Sequence, residues 1–242
     1  MEAAGSSRGV PPTGAAPGGL PVGVADHGFL ARLSSGRIEE LIQSAHSVSY
    51  PTGSTVLKPV RAGLALIVSG ALRYYLSAAD RRQLTVGYLG PGNVLGTVQK
   101  QATSIVHIQV IAPTVLMHLQ PDRVSTLMQH RRDLVQALVD EAIQGLLHSF
   151  RVLAASAFTT VWARVARDII ERAGLSGPLR AGFHLAVTHQ SLADATASVR
   201  EVVARTLREM SRDGIIATGG GGVTVLDPGA LTKAAGYEIA SA

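Results

Sequence analysis

The sequence predicts an α+β fold in three consecutive parts: an N-terminal antiparallel β-roll, a long central dimerisation helix and a C-terminal module of short helices closed by a β-hairpin. Three observations predict it. Between Val48 and Leu119, short runs rich in Val, Ile, Leu and Tyr alternate with turn signals. From Asp122 past Ala155 the apolar period changes to three and four. After Phe158, two short helical patterns lead into Gly219-Gly220-Gly221-Gly222 set between apolar runs.

Residues 1–26 read as a disordered tail, because ten of the first 23 residues are Gly or Pro and bury too little surface to offset ordering. Residues 27–121 read as the antiparallel β domain. It opens with a short helix carrying Leu30, Leu33, Ile38, Leu41 and Ile42. Its strands are expected at Thr55–Leu57, Leu64–Val68, Ala71–Leu76, Gln83–Leu89, Ile105–Ile111 and Val115–Leu119. Pro51-Thr52-Gly53, Ser69-Gly70, Ala78-Ala79-Asp80 and Gly90-Pro91-Gly92 are the expected turns. Many short strands with regular turns point to a small antiparallel sandwich or barrel.

Residues 122–157 read as one helix. Val135, Leu138, Ala142, Gly145, Ser149 and Val152 form a heptad seam with small residues at its centre, and Leu146, Leu147, Phe150 and Leu153 form a second apolar face. One face can pair with another copy of the chain while the other packs on the strands, so a homodimer is expected. In residues 158–242, Thr159-Thr160 caps a helix that ends at Ala173-Gly174. Thr188 to Ala195 form a short helix, Thr196-Ala197-Ser198 a tight turn, and Val199 to Arg212 a second helix with Val203, Leu207 and Met210 inward. Ile215–Thr218 and Val223–Leu226 complete a hairpin, and together these make a winged helix-turn-helix.

Composition narrows the chemistry. The 242 residues contain no cysteine, which excludes disulfides, thiolate zinc sites, iron–sulfur clusters and a cysteine nucleophile. Only 4% are aromatic, too few for a base-stacking platform. The net charge of +5 does not locate a DNA face: residues 159–242 hold nine Lys or Arg against eight Asp or Glu, and residues 1–158 thirteen against nine. Gln101 to Pro121 is the longest uncharged stretch, yet Gln109, Pro113 and two histidines make it too polar for a membrane span. The N-terminus lacks the apolar run of a secretory signal, so a cytoplasmic protein with no membrane partner is expected. No nucleophile elbow, P-loop or zinc-protease motif occurs, and no catalytic or metal-binding residue is expected.

Function is expected on the second helix of the helix-turn-helix. Arg200, Glu201 and Arg205 lie in its first two turns, where a recognition helix meets base edges of double-stranded DNA. Arg pairs bidentately with guanine O6 and N7, and Glu accepts from cytosine N4. Thr188, His189 and Gln190 open the preceding helix, where backbone N–H groups and short polar side chains can hold a phosphate.

These segments resemble the Crp/Fnr-type bacterial transcription regulators. The likeness runs through Leu192-Ala193-Asp194, Ser198-Val199-Arg200-Glu201-Val202-Val203-Ala204-Arg205-Thr206-Leu207 and Gly214-Ile215-Ile216, with Ala163-Arg164-Val165-Ala166-Arg167 upstream. Gly70-Ala71-Leu72-Arg73 and Gly90-Pro91-Gly92-Asn93-Val94-Leu95-Gly96 resemble the family's sensory, cyclic-nucleotide-binding-like roll. The resemblance implies a homodimer held by the central helix, recognition helices in successive major grooves and a pseudo-palindromic operator. It adds Ser198 to the phosphate contacts, and implies an effector in the roll and, for activation, contact with RNA polymerase.

The resemblance also marks a departure. Family members that bind cyclic nucleotides carry Gly-Glu and, after a short loop, Arg followed by a small residue, gripping ribose and cyclic phosphate. The corresponding positions here are Gly96-Thr97 and Ser104-Ile105. The helix position that would meet the base keeps one hydroxyl, at Ser149. An Arg–phosphate pair is hard to replace, so cyclic AMP is not expected to bind by the usual contacts. Lys100 supplies only a point charge, and His46, His107, His118 and His148 show no spacing that selects a haem pair. An unidentified small-molecule effector, or a roll that serves only dimerisation, stays open. The alternative from another class is a ligand-binding or interaction module that does not act on DNA.

Overall fold

A computed structural model describes residues 19–56, 63–97 and 106–236. Chain order begins with two short 3₁₀ turns (Val24–Asp26 and Leu30–Arg32) and helix α1 (Ser35–Ile42). Strands β1 (His46–Tyr50), β2 (Gly63–Ser77), β3 (Gln83–Leu89), β4 (Val94–Thr97) and β5 (His107–His118) follow. They form one antiparallel sheet in the order β1-β5-β2-β3, with β4 also pairing on β2.

The long strands correct two expected breaks. Ser69-Gly70 is a bend inside β2 rather than a turn, with register shifts against β5 on both sides of it. Gly70 has φ +89°, and a Cβ there would lie 2.3 Å from the Pro113 carbonyl oxygen, so only glycine lets the strand bend this closely over β5. β5 likewise continues through Pro113. The expected strand at Thr55–Leu57 reduces, within the described residues, to a bridge from Thr55 to Gln109.

β2 has both faces buried. Leu64, Leu66 and Val68 face a layer made by Phe29, Leu30, Ile38, Leu41 and helical residues further on, whereas Ala65 and Ile67 pack inside the roll with Leu95, Val110 and Leu116. That alternation is the period-2 signature of a strand between two layers. The tail expected through residue 26 is corrected from Gly19 onward: Leu20 and Val24 are buried in the outer layer, because apolar side chains scattered among glycines still find a pocket there.

The single helix expected over residues 122–157 is two helices, α2 (Pro121–His130) and α3 (Arg132–Phe158). Arg131 between them is extended, at φ −126° and ψ 92°. No glycine or proline marks this break. It is held from outside: Arg131 Nη2 lies 3.0 Å from Glu40 Oε1, and Asp133 Oδ2 accepts from Arg37 Nε at 2.7 Å, both partners on α1.

The C-terminal part contains α4 (Val161–Gly174), β6 (His184–Ala186), α5 (His189–Ala195), α6 (Arg200–Arg212), β7 (Ile216–Gly219), β8 (Gly222–Val225) and α7 (Pro228–Ala234). Thr160 caps α4 by accepting from the Ala163 N–H at 3.3 Å. Val165, Ile169, Leu192, Val203, Leu207, Met210, Val223 and Val225 form one buried core. The hairpin expected at the four glycines is present, with Gly220 and Gly221 at its tip in the left-handed region and β6 added as a third strand.

Candidate nucleic-acid interface and effector cleft

The helix-turn-helix is built by local rules. Thr188 Oγ1 accepts from the Ser191 N–H at 3.0 Å and starts α5. Ala197, at φ +50°, turns the chain, and the Ser198 N–H bonds back to the Ala193 carbonyl at 3.0 Å. α6 then runs with Val203, Thr206, Leu207 and Met210 buried, which directs its other side outward. Arg200, Glu201 and Arg205 are exposed, and make no ion pair or side-chain hydrogen bond among the described residues. Thr188, His189 and Gln190 are exposed at the start of α5, with Gln190 Nε2 held 2.7 Å from Asp194 Oδ1, and Ser198 is half-buried. The structure thus brings the seven residues expected at a DNA face together on two adjacent helices, the cap of the first and the turn between them.

A buried polar contact, not foreseen from sequence, joins this module to the roll. The Tyr88 hydroxyl on β3 donates to Asp168 on α4, and Asp168 Oδ2 accepts from Arg172 Nε at 2.7 Å. Arg172 Nη2 reaches Ser191 Oγ on α5 at 3.2 Å, and its guanidinium lies 5.1 Å from the Tyr88 ring centre. Asp168 and Arg172 are only 6% and 7% exposed. Nearby, Leu84 on β3 is bridged to Thr196 in the turn between α5 and α6, and Arg164 Nε donates to the Thr196 carbonyl at 3.1 Å. Burial pushes the Tyr88 phenol well up, keeping it a proton donor, and burial together with the charge of Asp168 raises Glu171 to about 7. Asp168 and Arg172, four residues apart within an apolar helical stripe, were the available signal for this contact.

The second site is a cleft of about 540 Å³ between the roll and α3. Leu64, Leu89, Val94, Leu95 and Ile108 form one wall and Val135, Leu138, Ala142, Gly145 and Ser149 the other. Of the expected effector residues, Gly96 and Ser149 line it. Gly96 has φ +113° and a Cβ would meet the Gly63 carbonyl oxygen at 2.0 Å, which accounts for glycine there. Ser104, Ile105 and the Thr97 side chain lie outside the described residues. Tyr74 also lines the cleft, and burial pushes its phenol up to about 12.

Five of the six residues expected in the dimer seam line this cleft. Val135, Leu138, Ser149 and Val152 are half-buried, while Ala142 and Gly145 line the cleft and are exposed. The outward apolar stripe is Ile143, Leu146, Phe150 and Leu153, between 40% and 58% exposed. Of the histidines considered for haem, His46 and His118 stack at 5.3 Å across β1 and β5, while His107 stacks on Tyr75. No group of three or more potential metal ligands occurs among the described residues. None of their helices is long and apolar enough to cross a membrane.

An antiparallel roll, a long helix and a winged helix-turn-helix follow one another in the order that the resemblance to Crp/Fnr-type regulators implied. Residues 163–234 match the sequence model of the Crp-like helix-turn-helix domain. The chain is 29% identical to the transcriptional regulator LdrP of Thermus thermophilus over 184 residues, 72% of this chain and 87% of LdrP. It is 26% identical over 198 residues to the CRP-like protein Clp of Xanthomonas euvesicatoria, 76% of this chain and 85% of Clp. Its fold is similar to that of the c-di-GMP responsive global regulator CLP of Xanthomonas campestris, with a TM-score of 0.70 and 24% identity over 80% of this chain and all of that one. A CRP/FNR-family regulator of Thermus thermophilus, TTHA1359, gives a TM-score of 0.66 at 24% identity over 78% of this chain and 98% of that one. Residues 163–234 accordingly carry a Crp-like helix-turn-helix domain, and the relatives that the chain resembles are named as a transcriptional regulator and a CRP-like protein.

Proposed function

We propose that the chain is a homodimeric, sequence-specific DNA-binding regulator whose α6 reads base edges in the major groove. The observation that carries this reading is the exposed, unpaired set Arg200, Glu201 and Arg205 at the start of a helix whose opposite side is locked into a core. Arg200 and Arg205 present the fork that pairs with guanine, and Glu201 the acceptor that suits cytosine. Thr188, His189, Gln190 and Ser198 flank them at the start of α5 and in the turn, where they would contact phosphates and set register.

The outward stripe Ile143, Leu146, Phe150 and Leu153 repeats at three and four, the spacing of a helix pair, and a second copy of α3 would cover it. A two-fold dimer of this kind places two α6 helices on half-sites about one helical turn apart, which requires a pseudo-palindromic operator. The roll would act as the sensory domain in the cytoplasm, and activation would require contact with RNA polymerase. Two residue changes speak against gating by cyclic AMP through the usual anchors: Thr97 stands for the ribose-binding Glu and Ser104 for the phosphate-binding Arg.

Fluorescence anisotropy on a site selected from random DNA tests the reading. Arg200→Ala is expected to weaken binding by about 1–3 kcal/mol and to relax preference at one position of each half-site. Unchanged affinity and unchanged preference would remove α6 as the reading element.

A further inference from the structure

The walls of the cleft specify what it holds. Its volume of about 540 Å³ falls within the range of roughly 300–1,000 Å³ typical of sites that bury small organic molecules. Most of the lining is aliphatic, with Leu64, Leu95 and Ile108 facing Val135 and Leu138. The hydroxyls are those of Tyr74 and Ser149, both neutral, and Ser149 Oγ donates to the Gly145 carbonyl at 2.8 Å. The charged lining side chain among the described residues is Glu141, already bound to Arg32 at 3.1 Å and to Asn93 Nδ2 at 3.4 Å.

A cyclic phosphate entering this space would lose its hydration beside a carboxylate, and no lining cation among the described residues would replace that hydration. Aliphatic walls with neutral hydroxyls instead favour an uncharged ligand. We infer that the cleft binds a neutral, mainly apolar small molecule bearing one hydrogen-bonding group, which Tyr74 and Ser149 hold against α3. The inference rests on reading the cleft as the sensory site of a regulator, and it changes the chemical class of effector from anionic nucleotide to uncharged apolar compound.

α3 would couple such a ligand to the rest of the molecule. The wall residues Leu138, Ala142 and Gly145 are interleaved along one helix with Ile143 and Leu146 of the outward stripe. Filling the cleft therefore bears on the helix that would pair with a second copy.

The test titrates the full chain with N-phenyl-1-naphthylamine, a neutral apolar fluorophore with one N–H donor. Gly145→Leu narrows the cleft from a position where a Cβ meets nothing within 4 Å, and leucine favours helix more than glycine does. Saturable binding is expected for the wild type, with affinity about tenfold or more weaker in Gly145→Leu and in Ala142→Leu. Tyr74→Phe is expected to weaken it about threefold, the range of one neutral hydrogen bond. Phe158→Ser, which removes an apolar side chain 88% exposed at the end of α3, is expected to leave binding unchanged. Circular dichroism establishes that each variant is folded.

Wild-type affinity in both cleft-filling variants would overturn the inference, as would loss of binding in Phe158→Ser. Displacement of the probe by micromolar cyclic AMP or cyclic di-GMP would also overturn it, by restoring an anionic nucleotide as the ligand. Failure of the regulator reading would look different: the wild-type chain would select no DNA site while the probe titration stood.

Discussion

Arg200, Glu201 and Arg205 stand exposed and unpaired on α6, whereas the charged groups at the cleft and at the contact of β3 with α4 are paired: Glu141 with Arg32, Asp168 with Arg172. The two regions use opposite designs. The helix-turn-helix offers outward side chains on a rigid core, so that a partner supplies the missing hydrogen bonds. The roll encloses an apolar cleft on one side and, through Tyr88, completes a buried network on the other. On the proposed reading, a face that recognises DNA leaves charges free, while a cleft that senses a small molecule leaves volume free.

Four changes break or sharpen that contrast. The largest effect is expected at the buried contact. Asp168→Ala removes the carboxylate facing Arg172 at 2.7 Å and leaves a buried guanidinium uncompensated, which should cost about 3–5 kcal/mol of stability in chemical denaturation. A loss comparable to that of an exposed ion pair would mean that water reaches the network. Next comes the outward stripe. Phe150→Asp places a charge on the surface assigned to the second copy, and the apolar burial forfeited is about 2 kcal/mol for each subunit. Light scattering should then report monomers at concentrations where the wild type is dimeric.

A smaller effect is expected at the cap of α5. Thr188→Ala removes the acceptor for the Ser191 N–H and should lower stability by about 1 kcal/mol in thermal melts. The smallest is a pH response. Burial and the charge of Asp168 raise Glu171 to about 7, above its unfolded value, so the folded chain holds the proton more tightly than the unfolded chain. Stability from this group is full below the unfolded value and declines as pH rises through about 7. Glu171→Gln should flatten that decline in denaturation curves recorded from pH 5 to about 8.

The helix-turn-helix was the more legible region. Thr160 and Thr188 as caps, Ala197 in the turn, Val203, Leu207 and Met210 inward and the glycine hairpin all follow rules that act within a few residues. The roll was legible as strands but not in their continuity, because Gly70 and Pro113 read locally as punctuation and act here as bends between paired neighbours. The break at Arg131 depends on partners about ninety residues earlier in the chain, at Arg37 and Glu40. That the expected seam residues Val135, Leu138, Ala142, Gly145 and Ser149 also line a cleft against the roll was not legible, because the roll's position depends on distant strands. Tyr88 and Ser191 carried no local signal, since their roles arise only where β3 meets α4 and α5.

The most direct measurement selects binding sites from a randomised duplex pool at fixed salt, with wild type and Arg200→Ala, each with and without cyclic AMP. The account predicts that the wild type enriches two half-sites about one helical turn apart, equally with and without the nucleotide. Arg200→Ala should lose preference at one position of each half-site. Enrichment that appears only with cyclic AMP, or a variant that enriches the same sites as the wild type, would contradict it.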